Sequence, residues 1–379
     1  MEKFIAFNPV KLHFGKNAAE NIGSAVKKVT DNALLVYGRK SIKENGIYDF
    51  VAGKLREAGV RFTEYHGIKA NPVVDDVEKA IILARESNCG AVIAVGGGSV
   101  LDSAKIIALC AKGNHDPWKV MKYEQKPDSA LPLFTVLTFA GTGSEMNQFA
   151  VLQNQITGEK IGYGNNLIFP RESFLDPSYT MSVPANQTAF GVVDLIAHSL
   201  EAYFGEGEAH LTDRFICSII KEAIETAPLL MNNLNSYELR ERIMWAATCA
   251  LNGITLTGRK SGDWGVHDIG HTLSYLYDTP HGATLSIAYP AWMKHMKSKL
   301  EDRIGFLGFE VFGVSNPNET IAKFERFFSL IGSPVRLSEA GILQKNQDEI
   351  FTLMKKNKIS GYFHKLFEDD YLKIIELMK

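Results

Sequence analysis

Residues 91–105 constrain the fold of this chain more strongly than any other segment. They read Ala-Val-Ile-Ala-Val-Gly-Gly-Gly-Ser-Val-Leu-Asp-Ser-Ala-Lys, an apolar run followed by three glycines and a serine. A five-residue apolar run is typical of a buried parallel strand, and glycines let the backbone approach a ligand closely. Ser99 is expected to cap the following helix, whose amino end attracts phosphate. The segment predicts a phosphate-binding strand, turn and helix; a glycine loop that merely turns the chain is the alternative.

Similar units recur through the first half of the 379-residue chain, which is long enough for two domains. The predicted strands are 33–37, 61–65, 91–95, 133–137 and 173–176, and the predicted helices are 17–29, 41–58, 73–88 and 99–112. This alternation is typical of a doubly wound α/β domain with a Rossmann-like parallel sheet. After residue 184, amphipathic helices are predicted at 185–204, 210–232, 236–256, 283–298, 318–331, 346–356 and 368–378. We therefore predict an α/β dinucleotide-binding domain, 1–180, and an all-α metal-binding domain, 181–379, with the active site in the cleft between them.

A basic turn follows the first of these strands. Gly38 begins the turn after strand 33–37, and Ser41 opens the next predicted helix. In NAD-binding folds an acidic side chain near such a turn usually binds the ribose hydroxyls. Here the chain has Arg39 and Lys43 instead, and cations beside a hydroxyl suit a 2′-phosphate, which favours NADP over NAD. The alternative is a solvated basic helix start, although cations oppose the helix dipole at that end.

A third glycine turn, residues 137–147, follows the apolar strand 133–137. It reads Leu-Thr-Phe-Ala-Gly-Thr-Gly-Ser-Glu-Met-Asn and is dense in hydroxyl groups and backbone donors. Such groups suit a pyrophosphate or a nicotinamide ribose. Lys160, in the hairpin-like stretch 148–164, is a candidate cation for the same ligand, although a lone lysine is more often a surface residue.

The second half of the chain contains one carboxylate and several imidazoles in a suggestive spacing. Asp194 and His198 are four residues apart, so on a helix they project from one face. Such a pair is often an ordinary surface ion pair, but apolar residues surround this one and predict its burial, which requires a partner or a metal. His267 and His281 are fourteen apart, a spacing that suits a helix end and a loop folding back beside the first pair. The set predicts a divalent metal site.

The predicted metal is catalytic rather than structural. Structural zinc prefers a closed, cysteine-rich shell, whereas Cys89, Cys110, Cys217 and Cys249 are dispersed with no CxxC pair. One carboxylate and three imidazoles suit Fe(II), Zn(II), Mn(II) or Co(II), and ligand identity alone does not choose among them. Few, unpaired cysteines also fit a reducing cytoplasm.

Composition excludes several other classes of function. The net charge is −2 and 22% of residues are charged, which provides no electrostatic basis for binding nucleic acid or anionic membranes. No signal peptide and no membrane span are expected, because the chain has no basic start followed by an apolar segment and no 18-residue apolar run.

These motifs together resemble the iron-containing (group III) alcohol dehydrogenases, and are most similar to the butanol dehydrogenase and NADPH-dependent aldehyde reductase branch. The resemblance is carried by residues 96–102, 138–147, 176–177, 191–198, 267–271 and 280–282. It implies a dehydroquinate synthase-like architecture, a homodimer, and Fe²⁺ with Zn²⁺ as the alternative. It also implies metal ligands at Asp194, His198, His267 and His281, and His271 beside the nicotinamide. Implied cofactor contacts are Gly38, Ser41, Asn71, Gly97, Gly98, Ser99, Asp102, Thr138, Thr142, Asn147, Lys160 and Tyr179.

The predicted reaction is reversible hydride transfer between NAD(P)H and an aldehyde or primary alcohol. The metal polarises the substrate oxygen, and His271 passes a proton to it; a packed helix histidine is the alternative role for this residue. One rival interpretation is a dehydroquinate synthase-like or glycerol dehydrogenase-like enzyme on the same fold. A lyase acting on a phosphorylated carboxylate would need several basic residues near the ligands, and only Arg259 and Lys260 are there. A second rival is a non-catalytic nucleotide or metal sensor, which no DNA-binding segment supports.

Overall fold

The structure is a computed structural model that describes all residues from Met1 to Lys379. The chain divides into two compact units. One consists of Asn8–Val183, and the other of Met1–Phe7 together with Pro184–Lys379. No helix has both the length and the apolar character needed to cross a bilayer.

The first unit is built on a six-stranded parallel sheet with the order β1-β8-β5-β4-β2-β3. Its strands are β1 (Lys11–Phe14), β2 (Asn32–Tyr37), β3 (Arg61–His66), β4 (Ala91–Gly96), β5 (Leu133–Leu137) and β8 (Glu172–Leu175). Its helices are α1 (Ile22–Lys27), α2 (Ser41–Glu44), α3 (Ile47–Glu57), α4 (Val74–Glu86), α5 (Gly98–Ala111) and α6 (Pro117–Met121). A short antiparallel hairpin, β6 (Phe149–Asn154) and β7 (Glu159–Gly164), lies outside the sheet.

The strand order fixes where a ligand can bind. From β2 the chain moves to β3 on one side, whereas from β4 it moves to β5 and β8 on the other. The direction of winding therefore reverses between the neighbouring strands β2 and β4. In open α/β sheets, ligands bind in the crevice at the carboxyl ends of the strands on either side of such a switch point. Gly38 follows β2 and Gly97 follows β4, so both predicted glycine turns lie at this crevice.

The central strands are apolar because both faces of the sheet are covered. Leu35, Tyr37 and Ile93 pack with side chains of α1 and α3 in one buried cluster, and the alternate residues Leu34 and Val36 are buried as well. Helix α5 contacts β2, β4 and β5. Strands enclosed in this way have near-continuous hydrophobic runs, which is why the sequence pattern located them.

The five predicted strands and the hairpin are confirmed, but several details of the first unit differ from the sequence prediction, including the short helix α6, which was not predicted. Strand β1 was not predicted, because this four-residue edge strand is only partly buried and has a weak apolar pattern. The helix predicted at 41–58 is two helices, α2 and α3. Gly46, with φ of 77°, interrupts it in a left-handed conformation that favours glycine.

The second unit is entirely helical. Its helices are α7 (Ala185–Tyr203), α8 (His210–Asn232), α9 (Tyr237–Leu251), α10 (Gly265–Tyr277), α11 (His281–Met296), α12 (Glu301–Phe312), α13 (Pro317–Leu330), α14 (Gln347–Asn357) and α15 (Glu368–Leu377). The predicted fold class, an α/β part followed by an all-α part, is confirmed. Helices α10 and α12 were not predicted; α10 begins after Trp264, a left-handed residue with no side-chain cap, and contains the helix-weakening Gly270.

Candidate active site

Helix α7 supplies the first two predicted ligands. Asp194 and His198 lie one turn apart on it, and both are buried, with 4% and 6% of their surface exposed. The helix is buried on nearly all sides from Val192 to Tyr203, as its apolar sequence predicts. The ion pair of a solvated helix surface, the alternative interpretation of this spacing, is therefore wrong.

Helices α10 and α11 bring the remaining histidines to the same place. His267 lies in the first turn of α10, and Asp278 (φ 52°) reverses the chain after this helix ends. His281 is then the first residue of α11 rather than part of a loop. Gly282 makes the approach possible, because a Cβ there would stand 2.0 Å from the carbonyl oxygen of Phe190 on α7. Only glycine lets α11 pass so close to α7.

The ligand atoms converge on one carboxylate oxygen. Asp194 Oδ1 lies 3.7 Å from Nε2 of His198, 3.9 Å from Nε2 of His267 and 3.7 Å from Nε2 of His281. The candidate ligand atoms of Asp194, His267 and His281 all lie within 4.8 Å of one another. Asp194 Oδ1 is buried and has no hydrogen-bond partner.

These separations fit ligands that share an ion. They are too long for hydrogen bonds, which would bring the atoms to about 2.7–3.2 Å. Nitrogen and oxygen atoms held about 2.1 Å from a common metal stand roughly 3.4 Å apart in tetrahedral geometry. A metal ion between these atoms would compensate the charge of the buried carboxylate, which is costly to leave uncompensated. The residues therefore fit a divalent metal.

Glu201 is a functional residue that the sequence analysis missed. Its Oε1 accepts hydrogen bonds from Nδ1 of His267 at 2.8 Å and from the backbone N–H of the same residue at 3.0 Å. Its Oε2 accepts from the backbone N–H of Trp264. Burial is the main cause that raises the pKa of Glu201 to about 8, and the nearby Asp263 carboxylate acts in the same direction. The backbone hydrogen bonds from His267 and Trp264 oppose the shift. When Nδ1 of His267 carries the proton and donates it to Glu201, Nε2 of the same ring keeps a lone pair, which faces Asp194.

His271 lies beside this group and not within it. It follows His267 by one turn of α10, and its ring stacks on that of His281 with centroids 5.2 Å apart. It is outside the group of Asp194, His267 and His281, whose ligand atoms all lie within 4.8 Å of one another. His198 is outside that group as well, although its Nε2 lies 3.7 Å from Asp194 Oδ1. His271 is buried, with its Nδ1 3.8 Å from an oxygen of Asp268. His271 therefore lies next to the candidate ligands.

The three predicted turns of the first unit follow β2, β4 and β5, which are neighbours in the sheet. Their loops therefore meet at one edge. The expectation that Ser99 caps α5 is wrong: the helix begins at Gly98, no side chain caps it, and the Ser99 hydroxyl donates to the carbonyl of Ala70. The turns themselves touch, since a Cβ on Gly98 would lie 2.3 Å from the nearest side-chain atom of Thr142.

Several predicted cofactor residues make hydrogen bonds within the protein. Asp102 accepts from the Ser144 hydroxyl at 2.7 Å, and Asn147 Nδ2 donates to the Gly143 carbonyl at 2.8 Å. Lys160 is buried and donates to Asn71 Oδ1 at 2.8 Å, so it is not the surface lysine of the alternative interpretation. Their contacts with a cofactor, like those of Gly38, Ser41, Gly97 and Thr138, stay predictions.

Tyr179 and the basic turn complete the predicted set. Tyr179 packs against the cluster formed by α1, α3 and the sheet, and burial raises the pKa of its hydroxyl to about 12. Arg39 is exposed. Lys43 Nζ lies 3.6 Å from Glu64 Oε2 and 4.4 Å from the centre of the Tyr48 ring. Glu64 therefore already provides the anion that Lys43 contacts.

Comparison with known proteins identifies the family. Residues 9–177 match the sequence profile described as iron-containing alcohol dehydrogenase, and residues 188–378 match the C-terminal profile of the Fe-containing alcohol dehydrogenase family. The chain belongs to the iron-containing alcohol dehydrogenase family. The predicted family, and with it the predicted activity of an alcohol dehydrogenase or aldehyde reductase, is confirmed.

Curated relatives and solved structures agree with this assignment. The dehydrogenase is 40% identical over 385 residues to a probable NADH-dependent butanol dehydrogenase 1 of Bacillus subtilis, with 99% of each chain covered. It is 33% identical to the NADPH-dependent aldehyde reductase YqhD of Escherichia coli, covering 95% of this chain and 94% of the relative. The crystal structure of an NADH-dependent butanol dehydrogenase A from Thermotoga maritima superposes with a TM-score of 0.96 at 36% identity, covering 100% and 99% of the two chains.

Proposed function

We propose that this dehydrogenase reduces short unbranched aldehydes such as butanal, with Asp194, His198, His267 and His281 holding one divalent metal. The convergence of three imidazole nitrogens on the buried Asp194 Oδ1 carries the proposal. Iron is the metal that the family's description names. When bound, the metal supplies a Lewis acid for the substrate oxygen. The substrate class is supported by the names of the relatives, which include several butanol dehydrogenases and an aldehyde reductase.

The residues of the site have different roles in the proposed reaction. One carboxylate among three neutral imidazoles would leave a bound divalent ion with net positive charge, which would stabilise negative charge on a substrate oxygen. The nicotinamide cofactor supplies the hydride. His271 gives a proton to the same oxygen, so that the aldehyde leaves as an alcohol; its stacking against His281 supports this role. Glu201 keeps the His267 ring in one orientation through the bond to Nδ1.

For the cofactor, we propose a small preference for NADPH over NADH that depends on Arg39. This side chain is exposed directly after β2, whereas Lys43 contacts Glu64 and is less available to a phosphate. One exposed cation contributes about 1 kcal/mol to binding a phosphate, or roughly a fivefold preference. The relatives include enzymes named for NADH, one named for NADPH and one named for NADP, so both cofactor preferences occur among them.

The cofactor proposal is tested by kcat/KM ratios for the two nucleotides. Arg39→Ala should lower the NADPH to NADH ratio about fivefold. Glu64→Gln should raise it, because Lys43 then loses the carboxylate that it contacts. Unchanged ratios in both variants would refute the assignment.

We also propose that the protein is a homodimer that works in a reducing cytoplasm. The second part is supported by its four cysteines, none of which forms a disulfide and three of which are buried. Sedimentation of the purified chain tests the first part, with twice the mass of one chain expected.

The metal and the activity are tested together on protein purified without air. Oxidation of NADPH or NADH should accompany addition of butanal and require one metal ion per chain. His281→Ala should abolish turnover and metal binding, whereas His210→Ala should change neither, because His210 is an exposed residue at the start of α8. Full activity in metal-free enzyme would reject the proposal.

A further inference from the structure

Lys105 is a buried cation that none of the roles described so far uses. It lies on α5, seven residues after the first residue of the helix, and 0% of its surface is exposed. Its ammonium donates to Asn147 Oδ1 at 2.9 Å and to the carbonyl oxygen of Phe149 at 2.7 Å. Neither acceptor is charged; the carboxylates of Asp102 and Glu145 act on it at longer range. A charge buried at this cost needs an explanation.

The acceptor Asn147 shows what the lysine holds. The Oδ1 atom of Asn147 also accepts the backbone N–H of Phe149 at 2.9 Å, and its Nδ2 donates to the carbonyl of Gly143 at 2.8 Å. Gly143 has a left-handed backbone with φ of 61°. Lys105 therefore fixes, through one amide side chain, the backbone of the glycine turn that follows β5.

A second set of hydrogen bonds also joins α5 to the turn after β5. Asp102, three residues before Lys105 on α5, accepts from the Ser144 hydroxyl at 2.7 Å and from the backbone N–H of Val151 at 3.0 Å. At the amino end of α5, Gly98 touches Thr142 so closely that a Cβ would clash. Three successive points along α5 thus join this helix to the turn after β5 and to the start of the hairpin.

We propose that Lys105 is a positioning residue for the dinucleotide: it fixes the turn at residues 138–147 against the amino end of α5, so that the two glycine turns bind the cofactor as one rigid surface. This proposal rests on the proposed function, in which these turns contact NAD(P)H. Preorganised donors bind a phosphate more tightly than mobile ones, because ordering them costs free energy on binding. Lys105 itself does not touch the cofactor.

The test compares cofactor affinity in the metal-loaded wild type and in Lys105→Met, measured from the fluorescence of NADPH and of NADH on titration. The substitution keeps an unbranched side chain as far as the ε position and removes the ammonium. We expect the Kd for both nucleotides to rise at least tenfold. The KM for the cofactor should follow, while kcat at saturating cofactor and the metal content stay within twofold of wild type.

Arg240→Met is the matched control. Arg240 is a buried cation of the helical unit that also donates to neutral oxygens, those of Leu234 and Thr188. Its loss should lower thermal stability and leave the Kd for both nucleotides within twofold. A general loss of stability is thereby separated from a loss of positioning.

A second variant keeps the test decisive if Lys105→Met does not fold. Ser144→Ala removes only the hydroxyl that Asp102 accepts, and we expect it to raise the Kd at least threefold. A Kd within twofold of wild type in either folded variant overturns the proposal, as does a loss of kcat with unchanged cofactor affinity. A wild-type protein that binds neither nucleotide would instead refute the proposed function.

Discussion

Replacement of Glu201 by Gln tests how the metal centre is held together. Three N–H donors, two from His267 and one from Trp264, point at the two carboxylate oxygens. Glutamine offers only one acceptor oxygen, so its NH₂ group must face a donor. We expect the variant to fold but to bind its metal more weakly, because the His267 ring loses its fixed orientation.

The structure gives the expected size of this loss. A hydrogen bond to a charged acceptor contributes about 1.5–3 kcal/mol. Mutation of the hydrogen-bond partner of a metal-binding histidine typically lowers metal affinity by roughly 10- to 100-fold, or about 1.4–2.7 kcal/mol. The two ranges agree, and we therefore expect the metal Kd of Glu201→Gln to rise 10- to 100-fold at pH 9, where the Glu201 carboxyl, whose pKa is raised to about 8, is ionised.

Competition with a chromophoric chelator measures this affinity directly. Glu222→Gln is the matched control, because Glu222 is a half-exposed carboxylate on α8 that pairs with Arg242 in the same helical unit. The control should retain wild-type metal affinity. If Glu201→Gln binds the metal within twofold of wild type, the carboxylate does not orient His267 and this reasoning is wrong.

Two further predictions follow from close contacts and burial. Gly282→Ala should lower metal content and thermal stability together, since its Cβ would stand 2.0 Å from the Phe190 carbonyl oxygen and force α11 away from α7; wild-type metal content would contradict this. The stability of the protein should also depend on pH through the ionisation of Lys105. Burial lowers the pKa of Lys105 from 10.5 to about 8, and the carboxylates of Asp102 and Glu145 oppose this shift. Between these values the unfolded chain binds a proton that the folded chain has lost, so stability rises with pH. The free energy of unfolding of wild type relative to Lys105→Met should therefore increase by about 2–3 kcal/mol from pH 7 to pH 10, measured by urea denaturation, and a constant difference would rule the shift out.

The fold was largely predictable because most of its strands have a recognisable pattern in their own sequence. Buried parallel strands such as β4 are continuous apolar runs that end at glycine turns, and both features are local in sequence. Strand β1 lacks them, since its pairing with β8 is a tertiary contact at the sheet edge. Helix α10 was missed for a related reason: packing of its buried face, and not capping or propensity, defines where it begins.

The candidate site was predictable to the extent that its residues are periodic. Asp194 and His198 share a helix face, and Glu201 lies three residues further along that face, so the same spacing could have suggested it. The partners of Glu201 could not be predicted, because Trp264 and His267 lie more than sixty residues away in the chain. For the same reason, no local sequence pattern indicates that the Ser99 hydroxyl donates to the carbonyl of Ala70 rather than capping α5.

The proposed function depends on four side chains of the helical unit that hold one divalent ion. Anomalous diffraction at the iron edge from crystals of iron-loaded enzyme tests it most directly. We expect a single peak about 2.0–2.2 Å from Oδ1 of Asp194 and from the Nε2 atoms of His198, His267 and His281. A peak bound by other residues, or no peak among these four in active enzyme, would contradict it.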